Sequence, residues 1–147
     1  MSDNRARPNL ATVPVILLSL CAAGALQTQY PRRTYHPISI SEMAAEDPAH
    51  WRKLHTHVEV TGYVTYIKEE EDGDLHVRLC DVPVQGMNRE HCIVAEFIPL
   101  IRPGDSANHL RRGMEIRVQG ISRYDAERNH LWWEIHPVES VEILNGN

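Results

Sequence analysis

The chain has 147 residues, enough for one domain with a tail. Its 24% charged and 42% hydrophobic content excludes a wholly disordered protein. Formal charge is −5; the first 25 residues hold Asp3 against Arg5 and Arg7, so the remainder carries −6, without the basic surplus of a dedicated nucleic-acid binder.

Residues 1–25 read as an export signal. Arg5 and Arg7 give a positive start, Leu10 to Leu20 an uncharged apolar core, and Ala23-Gly24-Ala25 a small-x-small cleavage site. The apolar run contains Pro14 and is short for a membrane span, so cleavage after Ala25 is expected, with an uncleaved membrane anchor as the alternative. Lipidation at Cys21 is disfavoured because Leu20 before it is not small. Export predicts a periplasmic or extracellular, oxidising setting. Cys80 and Cys92 then remain as an even pair. They make either a disulfide, worth about 2–3 kcal/mol for a loop of about a dozen residues, or two buried thiols; the oxidising setting favours the disulfide.

Residues 26–46, with Pro31, Pro37 and the Arg32-Arg33 pair, have the composition of an extended linker. Asp47-Pro48 is a helix-start signal, and the short helix to Leu54 would place Trp51 over one end of the core. From His57 to Lys68, Val58, Val60, Gly62, Val64 and Tyr66 alternate with polar residues, the period of a strand with one buried face. Gly62 marks a bend or bulge in it. Glu69 to Asp74 is a solvated turn with the hairpin signal Asp72-Gly73.

A second strand, Leu75 to Cys80, turns Leu75, Val77 and Leu79 inward and His76 and Arg78 outward. After the loop Asp81 to Glu90, a third strand, Cys92 to Ile98, buries Ile93, Ala95 and Phe97 and exposes Val94 and Glu96. Asp105 or Ser106 caps a short helix through Arg112. A fourth strand runs from Met114 to Tyr124, with Gly120 midway. A fifth, His130 to Val138, turns Leu131, Trp133 and Ile135 inward and Trp132, Glu134 and His136 outward. Pro137 ends that strand or places it at an edge, and Val138 to Leu144 adds a short final strand.

Five strands, a helix between the third and fourth, and glycines at Val60-Thr61-Gly62 and Val118-Gln119-Gly120 resemble the OB-fold. That is an all-β Greek-key barrel in which a bent first strand serves both halves. An SH3-like barrel or a small sandwich would lack the helix. The resemblance covers about residues 55–144. The stretch Trp132-Trp133-Glu134-Ile135-His136-Pro137-Val138 is similar to the last strand of small exported bacterial OB-like proteins of unassigned activity. The resemblance implies the strand order 1-2-3-5-4-1 and binding on the outer face of strands two and three.

By parity on that sheet, His76, Glu96, Glu134 and His136 share one outer side, with Arg78 and Trp132 beside them. The expected ligand-binding set is therefore His76, Arg78, Glu96, Trp132, Glu134 and His136. Two imidazoles and two carboxylates are also competent ligands for zinc or another divalent cation, and Asp74 and Asp81 could join from the strand ends. The plainer alternative is a polar face held by hydrogen bonds and salt bridges. HExxH, P-loop, GxSxG and dinucleotide motifs are absent, so a binding module is expected and not an enzyme. The expected partner is an envelope or extracellular protein or glycan. Single-stranded nucleic acid at Arg78, Arg117 and Arg123 is one alternative, and a metal-binding protein or metal-dependent hydrolase is another.

Overall fold

The structure, a computed structural model, describes residues 33–51, 57–83, 86–102, 105–127 and 129–145. The expected export signal lies outside the described residues, and the side chains of Trp51 and of the expected caps Asp105 and Ser106 are not described. Six strands follow in order: β1 (His36–Pro37), β2 (His57–Glu69), β3 (Leu75–Cys80), β4 (Cys92–Phe97), β5 (Glu115–Asp125) and β6 (Trp132–Asn145). They form one sheet in the order β1-β2-β3-β4-β6-β5, and β2 also pairs with β5 to close it. With the two-residue β1 set aside, this is the strand order that the OB-fold resemblance implies.

Strand β2 serves both halves of the barrel. His57 to Tyr63 runs antiparallel to β5, and Tyr63 to Glu69 runs antiparallel to β3. Both midstrand glycines are sites of close approach. A Cβ on Gly62 would stand 3.0 Å from the Cys80 carbonyl oxygen, and one on Gly120 would overlap the Pro137 carbonyl and the Ile135 side chain. The bulge in β2 is not at Gly62, however. Its register against β3 slips between Val64 and Tyr66. An extra residue reverses the facing of everything after it. Val58, Val60 and Val64 are buried as expected, whereas Tyr66 points outward and is 47% exposed.

Four other expectations are corrected. Residues 36–45 are not an extended linker: β1 pairs parallel with β2, and α1 (Ile40–Ala45) begins at a Ser39–Glu42 capping box. Ile40 and Met43, three apart and so on one helical face, join the barrel core. Pro137 neither ends a strand nor marks an edge, because β6 runs unbroken from Trp132 to Asn145 between β4 and β5. Leu131 is not a core residue; it precedes β6 with φ 55° and is half exposed. The outer side of β4 is not open either, since Val94 and Glu96 are both buried.

The short helix α2 (Pro48–Trp51) forms where Asp47-Pro48 predicts it, with Asp47 Oδ1 accepting from the Ala49 N–H at 2.9 Å. The helix between the third and fourth long strands is a single 3₁₀ segment, Asp105–His109, and Ala107 and Leu110 around it fill the core. Cys80 and Cys92 face each other across β3 and β4 and are disulfide-bonded, with their Cα atoms 4.1 Å apart.

Candidate ligand groove and carboxylate–histidine cluster

Strands β3, β4 and β6 lie side by side, so their outward side chains share a face. His76 sits directly across from Glu96, Arg78 across from Val94, and Val94 across from Glu134. Period-two alternation then brings Glu96 beside His136. His76 Nε2 stands 3.2 Å from Glu96 Oε1, and His136 Nδ1 contacts Glu96 Oε2. One carboxylate thus bridges two imidazoles. A second, Glu134, lies beside it and accepts a hydrogen bond from Trp132 Nε1 at 2.9 Å. Contacts therefore join His76, Glu96 and His136 in one group and Glu134 and Trp132 in another, with donor atoms of Glu96, Glu134 and His136 within 4.8 Å of one another. The sixth expected binding residue, Arg78, donates through Nε to Thr65 Oγ1 at 2.8 Å.

Glu134 is the unusual group. It is 1% exposed, and its Oε2 makes no hydrogen bond; Arg123 Nε stands 3.8 Å away. Burial pushes its pKa up to about 7, and the Glu96 charge adds to the rise. Asp125 behaves in the opposite way. Burial works to raise it, but the Glu127 N–H and then His130 bond its charged form and hold it below its usual value.

Above this cluster the surface is concave. Tyr66, Lys68, His76, Arg78, His130 and Trp132 are among the residues that line a groove of about 250 Å³. One wall is Tyr66, with the Arg78 guanidinium 5.3 Å from the ring centroid. The other is Trp132, on which the His130 ring stacks with centroids 4.4 Å apart and planes 17° from parallel. Asp125 Oδ2 holds His130 Nδ1 in that position.

Tyr66 in this wall and the His130–Asp125 support are not readable from strand parity. The first depends on the β2 bulge and the second on the turn between β5 and β6. Other expected candidates lie elsewhere. Asp81 pairs with His91 Nδ1 at 2.8 Å, and Asp74 belongs to the β2–β3 turn. The three arginines do not form one patch, because Arg117 is tied to Glu142 and Glu59 at a separate cleft.

The closed barrel, its bent first strand and the helix before β5 define an OB-fold. No family model matches the sequence, and comparison with curated proteins finds no match. Solved structures do resemble it. Asparaginyl-tRNA synthetase from Entamoeba histolytica is 15% identical with a TM-score of 0.52, over 78% of this chain but only 25% of that one. This chain thus spans about a quarter of that enzyme. The OBody AM2EP06, bound to hen egg-white lysozyme, is 18% identical with a TM-score of 0.51, over 80% of this chain and 98% of that one. The S. pombe Stn1–Ten1 complex gives 17% identity and a TM-score of 0.51, over 78% of this chain and 81% of the matched one. At such identities the likeness shows the fold alone.

Proposed function

We propose that this chain is an exported OB-fold binding module whose groove between Tyr66 and Trp132 holds a neutral glycan, acting by binding and not by catalysis. One observation carries this reading: two aromatic walls face a groove whose lining also holds the polar groups of Lys68, Glu70, His76 and Arg78. Apolar sugar faces stack on such rings, and hydroxyls pair with carboxylates, imidazoles and guanidinium groups. The groove is smaller than the 300–1,000 Å³ typical of drug-sized pockets, a size that suits one or two sugar rings. Export is supported by the signal-like residues 1–25 and by the Cys80–Cys92 bond, a type of linkage that oxidising compartments preserve.

Titration with neutral N-acetylglucosamine oligomers, followed by tryptophan fluorescence, tests the reading. Saturable quenching that is lost in Trp132→Ala and Tyr66→Ala supports it; no response, or a response indifferent to both substitutions, removes it.

A second reading is single-stranded nucleic acid. It is favoured by the Tyr66–Arg78 pair on the face that OB-folds use for oligonucleotides and by the likeness to a tRNA synthetase. Lys68 in the groove lining favours it as well, while Glu70 in the lining and Glu96 and Asp125 beside it oppose it by repelling phosphate. An oligo(dT) titration decides between the two: tight binding that weakens steeply with salt would replace the glycan reading.

A further inference from the structure

We propose that Glu96, Glu134 and His136 form a binding site for one divalent transition-metal cation of the zinc type. This site goes beyond the groove reading and stands without it. One donor atom from each of the three lies within 4.8 Å of the others. Donors on a single tetrahedral zinc sit about 3.4 Å apart, from bonds near 2.1 Å, so small side-chain rotations close the set. All three come from the paired strands β4 and β6, which hold their spacing more firmly than a loop would.

A second observation points to a ligand. Glu134 is buried close to the Glu96 carboxylate, and its Oε2 is left without a hydrogen bond, with the Arg123 guanidinium no closer than 3.8 Å through Nε. A buried acceptor in that state is costly unless something fills the gap. One dication would neutralise both carboxylates. The chemistry of the donors suits zinc, which takes imidazole and carboxylate together. His76 holds Glu96 from its other oxygen, the kind of outer contact that orients a metal ligand. His136 is partly exposed and gives the ion a way in. Three protein donors leave a fourth position for water or a ligand atom.

Asp125, Glu127 and His130 form a second group of similar size. Asp125 there already accepts from the Glu127 N–H and contacts His130, so that group lacks the orphaned acceptor.

The test is isothermal titration of the chelator-stripped full chain with zinc chloride, repeated with cobalt(II) chloride while visible absorption is recorded. The expected result is one ion per chain, with affinity reduced at least about tenfold in both Glu96→Gln and His136→Ala. His130→Ala and His91→Ala bind as the unsubstituted protein does. The cobalt absorption bands shift in Glu96→Gln, which preserves side-chain shape and serves if His136→Ala fails to fold by circular dichroism. Absence of binding at micromolar zinc overturns the proposal. So does loss of binding in His130→Ala with retention in His136→Ala, or binding unchanged in every variant.

Discussion

Glu134→Gln in chelator-stripped protein should reverse a pH-dependent loss of stability. The carboxyl has a folded-state pKa of about 7 against an ordinary 4.5, because burial and then Glu96 disfavour its charge. Between those values the folded state binds more protons than the unfolded one, so stability falls as pH rises. The loss begins near pH 4.5 and is complete above about 7. At about 1.4 kcal/mol per tenfold change in proton affinity, the rise from 4.5 to about 7 amounts to roughly 3–4 kcal/mol. The amide keeps the shape and an oxygen for the Trp132 Nε1–H, but it never ionises. Glu134→Gln should therefore be about 3 kcal/mol more stable than the parent at pH 8 and nearly equal to it at pH 4.5. Asp125 and Glu42 have lowered values, so their contributions run the other way, present at neutral pH and lost as pH falls. Glu42 is common to both proteins and cancels in the difference between the two urea-unfolding curves; Asp125, whose lowering depends in part on Glu134, belongs with Glu134 in that difference. Parallel curves from pH 4.5 to 8, or a less stable variant at pH 8, would refute the reasoning.

Gly120→Ala should cost about 3 kcal/mol or more, because the added methyl meets the Pro137 backbone carbonyl and cannot be accommodated by side-chain rotation alone; urea midpoints measure it. Joint replacement of Cys80 and Cys92 by serine should cost about 3 kcal/mol, the loop-closure value for a sequence separation of 12, and a thiol reductant should lower the melting temperature of the parent but not of the variant. Met43→Ala should cost about 2–5 kcal/mol if α1 belongs to the barrel core, whereas a linker residue would cost almost nothing. Thermal unfolding separates those outcomes.

Local sequence determined the strands, the hairpin and the facing of most side chains. Alternation is a local property, and Leu75 to Cys80 or Cys92 to Phe97 can be read from neighbours alone. Parity also placed His76, Glu96, Glu134 and His136 on one side, because strands that are paired in register share their outward faces. Three things needed the tertiary structure. The bulge between Val64 and Tyr66 depends on how β2 meets β3 after leaving β5, and it alone delivers Tyr66 to the groove. The burial of Glu134 depends on what covers the outer face of β6: a residue two places from Trp132 reads as surface in the sequence and becomes the most enclosed carboxylate among the described residues only after Trp132, Arg123 and Glu96 close around it. The core role of Ile40 and Met43 depends on the closed barrel giving α1 a surface to pack against. Periodicity reports which side of its own strand a residue faces; what lies against that side is set by residues far away in the chain.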